Sequence, residues 1–206
     1  MDRRLSGIVL AGGQSRRMGR DKAALPFGGT TLVAWVARRL SSVCAEVIVV
    51  ARDAADCAGC GARVVGDRWP GWGPLGGLAT GLEASTTVYG AVIACDLPFV
   101  EPGLLLGLAG LAQGGWDAVV PSAGGDAQPL CAVYRRSVGQ PAETLLRTGG
   151  RSLRDLLATP SLRVCHVPEW ALREWDPALQ SFENINTPEE YERAKTLVSG
   201  WPLAPA

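Results

Sequence analysis

Neither sign of charge is in surplus. Lys and Arg together number 20 and Asp and Glu together number 20, so the formal net charge is zero. A general nucleic-acid binder carries a basic excess, and this balance argues against one. Long apolar runs are missing too. No stretch approaches the roughly 20 apolar residues of a membrane helix. The first apolar run, Ile8-Val9-Leu10-Ala11, stops at Gly12 and Gly13 and is too short for a signal-peptide core. A cytoplasmic chain with no membrane and no nucleic-acid partner is expected. Histidine occurs once, at His166, between Cys165 and Val167. It has no evident catalytic partner and reads as a satisfied structural residue. Six cysteines in 206 residues do not form the dense framework of a disulfide-stapled domain. Cys57 and Cys60 make a single CxxC, but a structural zinc site usually takes four ligands, so the pair reads as two loop cysteines. Cys95 ends an apolar run and reads as core.

What is present is an ordinary globular composition, 47% hydrophobic and 19% charged. The length suits one domain. Residues 1–199 are expected to form it, with a flexible tail over 200–206. Short β-branched runs alternate with helical patterns. Strands are predicted at Ile8–Leu10, Glu46–Ala51, Arg63–Val65, Gly90–Cys95, Asp117–Pro121, Pro129–Tyr134 and Leu162–Val167. Helices are predicted from Thr31 to Leu40, Leu75 to Ala84, Pro102 to Leu111, and roughly over 137–147 and 151–158. The last helix has a clear start, Thr187-Pro188-Glu189-Glu190, with Thr at the N-cap, Pro at the first helical position and Glu at the third. This alternation predicts an α/β fold, a Rossmann-like three-layer sandwich with a mainly parallel central sheet. Ligands of such sheets bind beyond the carboxyl ends of the strands. The places to look therefore follow Leu10, Val50, Val65, Cys95 and Tyr134.

The first of these is Leu10-Ala11-Gly12-Gly13-Gln14-Ser15-Arg16-Arg17-Met18-Gly19-Arg20-Asp21-Lys22. It leaves a buried strand for a Gly-rich loop, whose backbone N–H groups can approach a ligand closely. Arg16, Arg17 and Lys22 add positive charge suited to a triphosphate. Two familiar phosphate loops do not match. Gly12 and Gly13 are adjacent, which breaks GxGxxG, and Arg20 follows Gly19, which breaks GxxxxGK[ST]. An NAD enzyme and a P-loop NTPase are poor readings. A Gly-rich connection with surface basic residues is the plainer alternative.

The segment LAGGQSRRMGRDKA resembles the signature of the molybdenum cofactor guanylyltransferases, within the wider sugar-nucleotide and cytidylyltransferase-like superfamily. The resemblance continues in order through Gly73-Pro74-Leu75-Gly76-Gly77-Leu78, Cys95-Asp96-Leu97-Pro98-Phe99, Gln128-Pro129-Leu130 and Asn184-Ile185-Asn186-Thr187-Pro188-Glu189-Glu190. It implies a Mg²⁺-dependent transfer of GMP from GTP to the phosphate of molybdopterin or Mo-molybdopterin. It also implies transient contact with other molybdenum cofactor proteins. By the same resemblance Leu10, Ala11, Gly12, Gly13, Lys22, Asp67 and Asp96 contact the nucleotide, Asp96 ligates the magnesium, and Lys22 and Arg17 stabilise charge during transfer. Asn184 and Asn186 form a further candidate site, since amide oxygens can complete a magnesium shell without adding charge. Each has a plainer reading. Asp96 is a turn residue before Pro98, Asp67 a solvated loop residue, and the asparagines helix-entry caps.

One position departs from the family. Where members often carry an Asn that contacts nucleotide, this chain has Val50, followed by Ala51 and Arg52. Either Arg52 substitutes or the contact is missing. Trp69 and Trp72 would line a pterin or base pocket by stacking, or simply pack a loop. The acceptor phosphate is already an anion, so no strong general base is required, which suits a chain with one histidine. Rival readings are a cytidylyl-transferring or sugar-phosphate-specific relative, and a non-catalytic nucleotide-binding module.

Overall fold

A computed structural model of the chain describes residues 5–12, 22–52, 57 and 59–198. The loop glycine Gly13 and the arginines Arg16 and Arg17 lie outside the described residues, as does the expected tail at 200–206.

The strands are β1 (Leu5–Leu10), β2 (Pro26–Phe27), β3 (Thr30–Thr31), β4 (Glu46–Ala51), β5 (Arg63–Gly66), β6 (Tyr89–Ala94), β7 (Ala118–Ala123), β8 (Asp126–Ala127), β9 (Cys131–Arg135) and β10 (Val164–Val167). The helices are α1 (Leu32–Ser41), α2 (Pro74–Ala84), α3 (Pro102–Ala112), α4 (Gly139–Arg147), α5 (Leu153–Leu157), α6 (Glu169–Leu172) and α7 (Pro188–Val198). The main sheet runs β10-β7-β9-β6-β1-β4-β5, with β8 beside β7. The pairings β10·β7, β6·β1, β1·β4 and β4·β5 are parallel. β9 reverses, lying antiparallel to both β6 and β7, and the short β8 is antiparallel to β7.

Period-two alternation sorts the side chains into two layers. Leu5, Val9, Val49, Ile93 and Val133 pack with α1 and α3. Ile8, Ile48, Val50, Val92 and Tyr134 pack with α2 and α4. These strands are apolar on both faces because helices cover both, and the three-layer α/β sandwich expected from the sequence is what forms. Cys44, Cys57, Cys60, Cys95 and Cys131 are all buried and fill space in the α1/α3 layer. Val50 is buried as well.

Helix starts follow local chemistry. Thr31 Oγ1 accepts the Ala34 N–H at 3.3 Å to open α1. Gly73 precedes α2 at φ +71°, a left-handed conformation that disfavours any residue with a Cβ, and Pro74 follows at the first helical position.

Two expectations need correction. The strand expected from Pro129 begins at Cys131 and runs antiparallel. Its carboxyl end after Tyr134 therefore lies at the far end of the sheet, and its amino end, Gln128-Pro129-Leu130, lies at the ligand end. The short hairpin β2–β3 and strand β8 were not anticipated. His166, read as structural, sits exposed on β10 at the sheet edge.

Candidate active site

Backbone bonds beyond the strands bring the loops to one rim. Ala11 N–H donates to Val50 O at 2.8 Å, Cys95 N–H to Leu10 O at 3.1 Å, Asp67 N–H to Ala51 O at 2.8 Å and Ala94 N–H to Leu130 O at 2.9 Å. The segments that leave β1, β4, β5 and β6 thus share an edge with the segment that enters β9. This is where an open α/β sheet binds its ligands.

The segment after β6 is held from several sides. Trp35 Nε1 of α1 donates to Pro98 O at 2.9 Å, and Arg39 Nε of α1 donates to Val100 O at 2.7 Å. Ser181 Oγ accepts the Glu101 N–H at 2.9 Å. Ser181 is fixed in turn by buried Asp176, which accepts its N–H at 2.8 Å. Burial lowers the Arg39 pKa from its ordinary value, partly offset by the nearby Glu101 carboxylate. Asp96 stands at the head of this immobilised segment.

Three candidate residues from distant parts of the chain converge there. Lys22 opens a short 3₁₀ turn, Lys22–Ala24, anchored by fully buried Ala23. Its Nζ lies 3.0 Å from Asn186 Oδ1 and 3.4 Å from Asp96 Oδ2. The Lys22 and Asp96 side chains are 14% and 25% exposed, so both reach solvent while sitting largely within the rim. Asn186 is delivered by the approach to α7. The neighbouring Ile185 is buried, and its N–H donates to Asp96 O at 2.9 Å.

The capping box of α7 forms as its sequence predicts. Glu190 N–H donates to Thr187 Oγ1 at 3.2 Å, and Glu190 Oε2 accepts the Thr187 N–H at 3.0 Å. The same Oε2 also accepts the Asn186 N–H at 2.6 Å. These backbone hydrogen bonds, from Asn186 first and Thr187 second, hold the Glu190 carboxyl below the usual carboxylate range. Glu190 was visible in the sequence only as a capping residue, because its bond to Asn186 depends on how the chain enters the helix.

The other candidates take different places. Leu10 is half-buried against Gly77 of α2, Ala11 is buried, and Gly12 is exposed, with no described residue where a Cβ would stand. Asp67 lies on the β5 side of the rim, where its Oδ1 accepts the Trp69 N–H at 2.9 Å. This is the local bond that a loop Asp makes to the N–H two residues on. Asn184 is exposed and outside the Lys22–Asp96–Asn186 contact. Arg52 is exposed just past β4, whereas Val50 belongs to the core. Trp69 and Trp72 meet edge to face at 6.2 Å. The Arg147 guanidinium lies 5.8 Å from the Trp69 ring centre and the Arg151 guanidinium 4.6 Å from that of Trp72. Both indoles are half-buried against the α2/α4 layer.

The sheet is doubly covered and mostly parallel, and at its rim the Lys22 ammonium lies between a strand-end carboxylate and an amide oxygen. The family model of the MobA-like NTP transferase domain matches residues 7–164. A probable molybdenum cofactor guanylyltransferase of Chloroflexus aggregans is 40% identical over 194 residues, covering 90% of this chain and 91% of that protein. A molybdenum cofactor guanylyltransferase of Desulfosudis oleivorans is 35% identical, covering 94% of this chain and 96% of that one. The crystal structure of molybdopterin-guanine dinucleotide biosynthesis protein A from Archaeoglobus fulgidus is similar at TM-score 0.82 and 30% identity, covering 95% of this chain and 100% of that one. The chain belongs to the MobA-like NTP transferase family. Among its described residues no helix is long and apolar enough to cross a membrane.

Proposed function

We propose that this protein transfers GMP from GTP to the terminal phosphate of molybdopterin, with or without bound molybdenum, and releases pyrophosphate. The observation that carries the reading is the convergence of Lys22, Asp96 and Asn186 at the carboxyl rim of the sheet. The names of the relatives support the nucleotide and the acceptor.

The acceptor's phosphate oxygen forms a bond to the α-phosphorus of GTP. The bond from that phosphorus to the bridging oxygen of the β-phosphate breaks, and its electron pair leaves with pyrophosphate. The nucleophile arrives as an anion, so the rim needs to position charge and no proton need be removed. The backbone of Leu10, Ala11 and Gly12 cradles the nucleotide, Gly13 joins them on the strength of the family signature alone, and Asp67 contacts it from the β5 side. Lys22 neutralises charge at the α-phosphate and the leaving group. Arg17 takes the same task on the strength of the family signature alone.

The rim fits Mg²⁺. Asp96 and Asn186 offer hard oxygen donors, and the Lys22 ammonium already lies between those two oxygens, which marks the place as suited to positive charge. Asp96 would hold the ion, while Asn186 keeps Lys22 beside it and Asn184 stands at the margin. When bound it supplies charge neutralisation to the triphosphate oxygens. Free GTP and a soluble cofactor precursor imply a cytoplasmic reaction, with product handed on through transient contact with other molybdenum cofactor proteins.

The test is the product. Incubated with GTP, Mg²⁺ and molybdopterin, the protein should yield a species heavier than molybdopterin by one GMP unit, with stoichiometric pyrophosphate. Hydrolysis of GTP without a joined product contradicts the proposal.

A further inference from the structure

A capping box needs the third helical side chain to accept one N–H, that of the N-cap residue. Glu190 accepts two. Beyond the Thr187 N–H, its Oε2 takes the Asn186 N–H at 2.6 Å, a bond that starting α7 does not require. Asn186 is the residue whose amide oxygen meets Lys22 at 3.0 Å. The preceding Ile185 is pinned from the opposite side through its N–H to Asp96 O at 2.9 Å. Residues 185 and 186 are therefore clamped between the end of β6 and the first turn of α7. The helix is itself tied down, for the Tyr191 hydroxyl donates to Pro26 O in the hairpin that follows the Lys22 turn.

We propose that Glu190 is a positioning residue for the nucleotidyl-transfer site: it fixes the Asn186 backbone so that the Asn186 amide oxygen holds Lys22 beside Asp96. This rests on the reading that Lys22, Asp96 and Asn186 form the transfer site. Glu190 itself touches none of the reacting atoms. Without its carboxylate the Asn186 peptide loses its anchor on the helix side, and Lys22 keeps only the longer contact to Asp96.

The composition allows a direct test, because Lys22 and Lys195 are the only lysines in the sequence. Brief acetic anhydride labelling of the free protein, mapped by peptide mass spectrometry, reads the ratio of Lys22 labelling in the folded to that in the denatured protein without any substrate, and needs no reference to Lys195 on α7. Glu190→Ala should raise that ratio severalfold. With GTP and molybdopterin it should lower kcat about tenfold or more while leaving GTP affinity near normal, the pattern of lost positioning. Glu190→Gln keeps an oxygen acceptor and should restore both readings most of the way. Thr187→Ala removes the other half of the capping box without touching the Asn186 bond. It should destabilise α7 and leave the labelling ratio unchanged. An unchanged ratio in Glu190→Ala overturns the proposal, and so does an equal rise in Thr187→Ala, which would show helix fraying alone. A raised ratio in Glu190→Ala, with no turnover even in the unmodified protein, supports the positioning role and overturns the substrate assignment.

Discussion

Lys22 sits at the join of two oxygens that are 74 and 164 residues away along the chain. Its compact, mobile ammonium suits a phosphate that changes charge during transfer. Lys22→Ala should lower kcat by roughly 10²-fold, about 3 kcal/mol of transition-state stabilisation. A change confined to GTP affinity would instead assign Lys22 to uniform binding. Asp96→Ala should abolish turnover with little change in Tm, since its carboxylate is partly exposed. Near-normal activity at millimolar Mg²⁺ would remove Asp96 from the site.

Gly12 gives a cleaner probe at the same scale. Among the described residues a Cβ there meets nothing within 4 Å, so Gly12→Ala should leave Tm unchanged. The methyl would crowd a bound nucleotide, and a purine needs more room than a pyrimidine. The expected outcome is a larger loss of kcat/KM for GTP than for CTP. Equal losses would mean that the base does not pass close to Gly12. The residue types of the rim were legible in the sequence, since a Gly-rich loop, a lysine and a strand-end aspartate each carry their own chemistry. Their meeting was not, because nothing local to Lys22 encodes its distance to Asn186.

Helix α2 shows how an element is placed by what its residues lack. Gly77 lies against Leu10, and a Cβ at Gly81 would collide with Ile8 Cγ2. The helix can therefore lie close on β1 and β4 and bring its first turn to the rim beside Asp67. Gly81→Ala should destabilise the fold by about 1–3 kcal/mol, read as a lower denaturant midpoint, because overpacking forces the sheet and helix apart. An unchanged midpoint would show that the interface adapts. The strands and helices of this layer were readable from their apolar runs and glycine entry. The direction of β9 was not. A strand buried on both faces carries no alternation, and apolar runs look alike whichever way they run. The two-residue strands β2, β3 and β8 were missed because they are too short to show any period.

At the scale of the whole molecule, the end of the sheet opposite the site is tied by one carboxylate. Glu46 begins β4. It accepts from Thr86 N–H at 2.6 Å, Thr86 Oγ1 at 2.7 Å and Ser6 Oγ of β1 at 2.7 Å, and pairs with Arg63 of β5 at 3.2 Å. Burial would raise its pKa, but the bonds from Thr86 and Ser6 and the Arg63 charge outweigh it and leave the carboxyl below its ordinary value. A carboxyl with a lower pKa in the folded than in the unfolded chain stabilises the fold above the unfolded value. That contribution fades as pH falls through the folded one. Glu46→Gln should therefore lower Tm at neutral pH, and the gap to the unmodified protein should narrow below about pH 4. A gap that stays constant down to acid pH would show that the ionised form contributes nothing.

The central claim is a guanylyl transfer that depends on a molybdopterin acceptor, and pyrophosphate release tests it most directly. The measurement is kcat/KM for GTP, CTP, ATP and UTP, each with molybdopterin, with a sugar 1-phosphate and with no acceptor, at fixed Mg²⁺. The account predicts rapid release only from GTP with molybdopterin, and a clear preference for GTP over CTP. Equal use of CTP, or release that is as fast with the sugar phosphate, would contradict it.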